Sequence, residues 1–343
     1  MTAPRRSATP KATTQHRTVR YRWAVCAALL TVAVVVSGGL FAPADATTRW
    51  QSGVYTSTCG KSAVKTFGSW RHARVERTSG YISTGTWAQL AKFAGLGRCL
   101  SQDGLPMTLS VAMLPGSGGD LADGAKGAYN SYWAAFGRNA VRYGYSHATL
   151  RIGWEMNGAW FKWSATKDPV HWKAYWRQIV RTLRKVHGQH FTYEWSPGLG
   201  ENSTGFQAAK AYPGNAYVTY VGASVYDVWY GSPSASPAKR WASLVREPYG
   251  LGWLARFAKT HHKRIGISEW GLASSSSFGG HGDGDDAYFI THFYAWMKRS
   301  NVAYEVYFNR QHQGNDHRLA VGAQTNATFT KAAAAYRRTF GGV

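Results

Sequence analysis

The sequence predicts an α/β protein, a (β/α)8 barrel of the TIM type, on three observations. Short β-prone runs alternate with amphipathic stretches from residue 50 onward, the pattern of parallel βα units. The 343 residues, 44% of them hydrophobic, hold one large domain, and such a barrel takes about 250 residues. Two of the β-prone runs end in a glutamate next to or soon followed by tryptophan, and strand C-terminal ends are where a barrel carries its chemistry. An open doubly wound sheet is the alternative, but no Gly-x-Gly-x-x-Gly follows the first run.

The elements follow in order. Trp50 to Tyr55 alternates as a first strand, and Ala73 to Glu76 is a weak second. Met107 to Met113 is a third strand, closed by Leu114-Pro115-Gly116. Ala125 to Arg142 has helical spacing, with Tyr129, Trp133 and Phe136 on one side. Ala148 to Trp154 is the fourth strand, and Pro169 to His187 a helix with proline at its start. Phe191 to Trp195, Val218 to Tyr226, Arg264 to Ser268 and Val302 to Phe308 complete eight strands. Helices near 250–261, 285–299 and 327–338 fill the gaps.

The fourth strand runs into Glu155-Met156-Asn157-Gly158-Ala159-Trp160-Phe161-Lys162-Trp163. A carboxylate delivered into a bowl of indoles suits sugar chemistry. Apolar sugar faces stack on aromatic rings, and a desolvated carboxyl keeps its proton near neutral pH as a general acid must. Glutamate is scarce, and among the seven only Glu269, in Ile267-Ser268-Glu269-Trp270-Gly271, ends a second such run. Glu194 and Glu305 lie inside their strands, where pairing with a neighbouring Arg or Lys is the simpler expectation. Glu155 and Glu269 are therefore the candidate catalytic pair. Trp160, Trp163, Trp229, Tyr230 and Trp270 are candidate sugar platforms, with packing as the competing role. Asn157 and Arg151 are candidates to order the carboxyls or hold hydroxyls, and a salt bridge inside the barrel is the plainer role for Arg151.

With these segments in view, the chain resembles glycoside hydrolase family 26, whose familiar members are β-mannanases. That family's fourth-strand motif sets an Arg ahead of His-Glu-x-Asn-Gly-x-Trp-Phe-Trp-Trp, and its seventh strand carries Glu-x-Gly. Arg151, Glu155, Asn157, Gly158, Trp160, Phe161 and Trp163 match the first, and Glu269 with Gly271 the second. The resemblance implies a retaining mechanism on a TIM barrel, with Glu155 as acid/base and Glu269 as nucleophile. It also implies that Tyr226, in Gly222-Ala223-Ser224-Val225-Tyr226-Asp227, hydrogen-bonds the nucleophile. Two positions depart: Trp154 stands where mannanases have His, and Lys162 interrupts the aromatic run. Because that His contacts sugar, Trp154 is itself a candidate substrate contact and bears on mannose specificity.

Residues 1–46 read as an export signal: six basic residues precede an apolar run from Trp23 to Val36, and Ala44-Asp45-Ala46 is a small-x-small cleavage site. Cleavage after Ala46 is expected, leaving a single catalytic domain over 47–343; an uncleaved anchor is the alternative. Cys26 leaves with the signal, and Cys59 and Cys99 remain as an even count compatible with one disulfide, or with two buried thiols. The protein is then secreted or held at the cell envelope.

The formal charge is +23, and since residues 1–46 hold six bases and one acid, the remainder keeps about +18. A basic surface concentrates anionic partners, and outside a cell these are anionic envelope polymers. No zinc-ligand spacing or nucleic-acid module accompanies the charge, so no nucleic-acid partner is expected. No metal or cofactor is expected either. Gly282-Asp283-Gly284-Asp285-Asp286 lacks the spaced ligands of an EF-hand and reads as a helix cap, and His261, His262, His312 and His317 read as surface or rim histidines. No Gly-x-Ser-x-Gly elbow supports a serine hydrolase.

The expectation is a monomeric, secreted, retaining β-glycoside hydrolase acting within a β-mannan or related polysaccharide. The alternatives are a non-catalytic envelope glycan-binding protein on the same barrel and a basic wall-associated structural protein. A binding module has no need of both Glu155 and Glu269, which is what separates them.

Overall fold

A computed structural model describes residues 50–82, 84–93, 104–202 and 204–341. The expected export segment 1–46, Cys26 and Cys99 lie outside the described residues. Eight parallel strands run through the chain: β1 (Gln51–Tyr55), β2 (Thr78–Ile82), β3 (Met107–Val111), β4 (Thr149–Ile152), β5 (Thr192–Trp195), β6 (Tyr220–Tyr226), β7 (Arg264–Gly271) and β8 (Val302–Phe308). They pair in the order β1-β8-β7-β6-β5-β4-β3-β2. The two ends of that series meet through a parallel bridge between Gly53 and Arg77, and the Val54 amide donates to the Arg77 carbonyl at 3.3 Å. The sheet is thus a nearly closed barrel.

Helices α1 (Lys61–Trp70), α2 (Trp87–Ala91), α3 (Leu121–Lys126), α4 (Asn130–Arg142), α5 (Pro169–Leu183), α6 (Pro237–Arg246), α7 (Leu251–Thr260), α8 (Ala287–Arg299) and α9 (Thr330–Phe340) lie between and after the strands. Their starts have local causes. Pro169 and Pro237 open α5 and α6, and Asp168 and Ser236 accept the first free amides, as N-caps do. Two short hairpins, β9 (Gln311–His312) with β10 (Asn315–Asp316) and β11 (Ala320–Val321) with β12 (Gln324–Thr325), decorate the β8–α9 connection.

Two expected elements are corrected. The second strand lies at 78–82, not at 73–76, which only leads into it through the Glu76 amide on the Ser52 carbonyl. The expected helix over 125–142 is two helices, because Gly127 takes a left-handed φ of 92° and ends α3 there.

Strand alternation puts apolar residues against the helices and polar ones inside. In β3 and β4, Leu109, Val111, Leu150 and Ile152 belong to the outer core, while Thr108, Ser110, Thr149 and Arg151 are buried polar residues. Two arginines fill the interior. Arg77 donates to Thr108 at 3.1 Å and Gln51 at 3.0 Å, and its guanidinium lies 3.9 Å over the Tyr304 ring. Arg151 occupies the level above. Such a lining differs from the branched aliphatic layers usual in these barrels, and it brings fixed charge to the catalytic end.

β7 breaks the alternation once. Gly222 pairs with Gly266 but Ser224 with Glu269, and Ile267 pairs with Glu305 but Trp270 with Tyr307. Each comparison places one extra residue on β7 between 267 and 269, which is a bulge. Beyond it every side chain changes face. Ile265 and Ile267 point toward the helices, and in strict alternation Glu269 would join them. The bulge turns Glu269 inward and Trp270 outward.

Candidate active site

Glu155 leaves β4 through a tight left-handed turn. Gly153 has φ 56°, and a Cβ there would meet the Met113 sulfur at 2.4 Å, so only glycine fits. Glu155 itself has φ 52°, a conformation uncommon for a side chain of this length and found where function retains it. Its amide donates to the Ser196 carbonyl at 2.9 Å, tying the turn to the end of β5. Burial and the charge of Glu269 push the Glu155 carboxyl up to about 7, against the opposing influence of Arg151, Ser224 and Trp160.

Glu269 has the opposite environment. Burial alone would raise its pKa, but Arg151 Nη1 donates to Oε2 at 2.6 Å, the Tyr226 hydroxyl donates to Oε1 at 2.7 Å, and Tyr81 lies beside it. The outcome is a carboxyl held below the usual carboxylate range. Tyr226 thus stands where the family resemblance places it.

Arg151, expected among substrate contacts, is fully buried beneath the pair. Its Nε donates to Ser196 at 3.0 Å, Nη1 also to Ser110 at 3.3 Å, and Nη2 to Ser224. Its Nε lies 3.8 Å from Glu194, the strand-interior pairing anticipated for that glutamate. With no face open to the cleft, Arg151 positions Glu269 and does not touch sugar. Asn157 is corrected in the same way. It is fully buried, its amide nitrogen donates to the Gly198 and Gly200 carbonyls at 2.9 and 3.0 Å, and its oxygen accepts from the Gly198 amide at 2.8 Å. It is a strut for the β5 loop.

The tryptophans separate by exposure. Trp160 is 56% exposed beside Glu155, a free platform. Trp163 is buried, stacked on Phe161 at 4.3 Å, with its indole nitrogen donating to the Trp154 carbonyl at 3.0 Å. It supports the loop and is not a platform. Trp154, also mostly buried, packs edge-on to Tyr81 at 5.8 Å, forming a wall between Phe161 and Tyr81. Trp229 is half-buried and donates to the Ser232 carbonyl, next to the 71% exposed Tyr230. Trp270 is wholly buried, donates to Glu305 and packs on Phe293 and Tyr307. The bulge has turned it into the helix layer, so it cannot be a sugar platform. Glu305 correspondingly bonds this indole instead of the expected cation.

Two neighbours escaped the sequence reading. Tyr81, on the misplaced second strand, has its hydroxyl held well above the usual range by burial and by the charge of Glu269. His317, expected at the surface or rim, is buried, donates from Nδ1 to the Leu272 carbonyl (2.6 Å) and packs 4.8 Å from Tyr226. The β-prone Tyr81-Ile82 pair is the sequence signal for the first; no sequence signal marks the second.

Among the described residues, one group of three carboxylates could hold a metal ion: Asp227, Asp283 and Asp286, whose oxygens lie within 4.8 Å of one another. The Arg240 guanidinium already pairs with Asp283 at 2.8 Å and Asp286 at 3.0 Å, so the cluster knits the β6 and β7 loops together. Asp286 caps α8, as the acidic run suggested, and Asp285 accepts the first amides of α9.

Comparison with known proteins bears on this arrangement. The profile of glycosyl hydrolase family 26 matches residues 148–248. A mannan endo-1,4-beta-mannosidase of Bifidobacterium adolescentis is 30% identical over 190 residues, 50% of this chain; the chain spans only 18% of that relative's length. A modular endo-beta-1,4-mannanase of Cellulomonas fimi shares the fold at TM-score 0.60 and 21% identity, over 84% of this chain and 71% of that one. A family 26 beta-mannanase of Bacteroides ovatus shares it at TM-score 0.58 and 17% identity, over 86% and 90%. Residues 148–248 of this chain are thus similar in sequence to glycosyl hydrolase family 26, and the barrel as a whole has the fold of these mannanases.

Proposed function

We propose that this protein is a retaining β-glycoside hydrolase that cleaves within a β-mannan or related polysaccharide, with Glu155 as acid/base and Glu269 as nucleophile. The observation that carries the proposal is the opposite protonation of two neighbouring carboxyls: one near 7, one below the ordinary range. Below about pH 7 the pair therefore holds one proton, on the group that must donate it.

In the first step the Glu269 carboxylate attacks the anomeric carbon while Glu155 protonates the departing oxygen. Forming the glycosyl ester neutralises Glu269 and removes the negative charge that raised Glu155. The Glu155 pKa then falls, and its carboxylate takes a proton from the water that releases the sugar. Retention calls for carboxyls about 5–5.5 Å apart. Arg151 and Tyr226 hold Glu269 ionised and aimed, while Trp160 beside Glu155 and the exposed Tyr230 are the rings free to stack on sugar. Mannan is the first substrate to try, given the mannosidase that resembles this chain. The wall that Trp154 forms in place of a histidine favours close relatives such as glucomannan, β-glucan or xylan as further candidates.

Residues 1–46 act in this proposal as the export signal, and Cys59 pairs with Cys99 in the oxidised protein. Thiol titration of the denatured, unreduced protein lacking residues 1–46 should then find no free thiol. The function itself is tested by reducing-end release from β-1,4-mannan, glucomannan, β-glucan and xylan. Release of oligosaccharides from one of them supports it. Binding without cleavage across the panel would leave a glycan-binding protein instead.

A further inference from the structure

The end of the barrel opposite the cleft carries a different arrangement. Helix α5 presents Arg177, Arg181 and Arg184 toward Tyr217, in the loop before β6, and their guanidinium carbons lie 5.7, 5.9 and 5.9 Å from that single ring. Their spacing of four and three residues puts them on one helix face. Each is fixed by neutral acceptors: Arg177 donates to the Pro213 carbonyl at 2.6 Å, Arg181 to the Tyr217 hydroxyl at 3.2 Å, and Arg184 to the Ala216 carbonyl at 2.8 Å. Among the described residues none of the three pairs with a carboxylate. Nor could one easily reach them, since no Asp or Glu occurs in 169–193, 202–226 or 251–268. Lys263 extends the surface, its ammonium donating to the Asn215 carbonyl at 2.9 Å.

Like charges that converge without a counter-charge repel one another, and here the fold holds them in place with neutral anchors that leave most N–H donors free. A guanidinium presents five donors in a fixed fork, suited to oxyanions. Three forks side by side on one face match anions that offer several oxygens to more than one guanidinium, as a phosphate does, better than a carboxylate with its two. Arg177 and Arg184 are separated by seven residues, about 10 Å along the helix, so the face suits charges repeated along a chain. A nucleic acid would add base stacking on a free aromatic face. The rings that these arginines reach, Tyr217 and Tyr193, already have guanidinium groups around them.

We propose that this face is a docking surface for a linear phosphate-bearing polymer, separate from the glycan cleft and on the far side of the barrel. Attachment there leaves the cleft open.

The test is fluorescence anisotropy with labelled long-chain polyphosphate at low and physiological salt, alongside polygalacturonate and duplex DNA at matched charge. Two variants of equal charge change are compared: R181Q/R184Q on this face, and K298Q/R299Q on α8. Circular dichroism checks folding, and hydrolysis of soluble glycan is followed in parallel. We expect polyphosphate to bind most tightly, R181Q/R184Q to weaken it at least tenfold, and K298Q/R299Q to change it less than twofold. Binding should also weaken as salt rises. Equal losses in the two variants would reduce the effect to net charge and overturn the proposal. So would polygalacturonate or DNA binding as tightly as polyphosphate. Because the readout is binding and not turnover, its failure is distinct from failure of the hydrolase assignment.

Discussion

The two carboxyls of the cleft come from strands that end differently. Glu155 lies past the end of β4, on a left-handed turn beside an exposed indole, with no cation in direct contact. Glu269 lies inside β7, turned inward by a bulge onto Arg151 and Tyr226. Both are desolvated, and burial alone would raise both pKa values. Glu155 has Ser224 and Trp160 as donors and feels Arg151 at a distance, whereas Glu269 has the Arg151 guanidinium in direct contact together with the Tyr226 hydroxyl. The difference teaches that burial supplies the proton and hydrogen bonding decides which carboxyl loses it.

Removing each carboxyl should give distinct losses. Glu269→Ala should abolish turnover of every substrate, on the order of 10⁴-fold or more, since no other group can form the covalent intermediate. Glu155→Ala should cost about 10²–10⁴-fold on natural glycans but much less in glycosylation by activated aryl glycosides, whose leaving groups need no proton. Added azide should restore turnover of those aryl substrates. Steady-state rates of both folded variants on matched substrates check this; near-wild-type activity in either would defeat the assignment.

Arg151→Met attacks the feature that distinguishes the two sites. It leaves Glu269 and Glu194 buried without their cation, and breaking such a pair costs about 3–5 kcal/mol of stability. The surviving activity should require higher pH, because Glu269 then titrates higher. Chemical denaturation and a pH–rate profile report the two effects separately.

In the wild type, kcat/KM should form a bell. Its alkaline limb should lie near pH 7, where Glu155 loses its proton, and its acid limb below the ordinary glutamate range, where Glu269 gains one. Tyr226→Phe removes one donor to Glu269 and should move only the acid limb upward, with a loss of about tenfold. An unchanged acid limb would show that Tyr226 does not tune the nucleophile.

The smallest effect concerns stability. The folded-state pKa of Glu155 is raised, so between the ordinary glutamate value and about 7 the native protein keeps a proton that the unfolded chain has lost. Stability therefore falls as pH rises through that window. Glu155→Gln should melt roughly 1–3 °C above wild type at pH 8 and level with it at pH 4, by calorimetry. Equal melting temperatures at pH 8 would argue against a desolvated carboxyl.

Much of this was legible in the chain. Seven of the eight strands sit where alternation and strand–helix succession put them, Glu155 and Glu269 stand out as candidates from their local contexts, and Tyr226 is a candidate only through the family resemblance. Three kinds of information were not. Ser79-Gly80 weakens the alternation of β2, so the strand and Tyr81 were displaced together. Indoles read alike in sequence, yet Trp160 is exposed, Trp163 supports a loop and Trp270 faces the helices. Asn157 and Arg151 are polar residues beside a carboxylate, and only their partners 41 residues or more distant reveal that they brace loops and strands.

The sequence by itself determined the succession of βα units, the presence of one carboxylate at each of two strand ends and the basic, acid-free character of α5. These are set by residue type and local period. The tertiary structure alone decided which way Glu269 and Trp270 point, because one extra residue in β7 reverses the face of everything after it. It also decided how the two carboxyls share a proton, since that depends on Arg151 and Tyr226 arriving from other strands. Periodicity is a property of a segment; facing and charge coupling belong to the closed barrel.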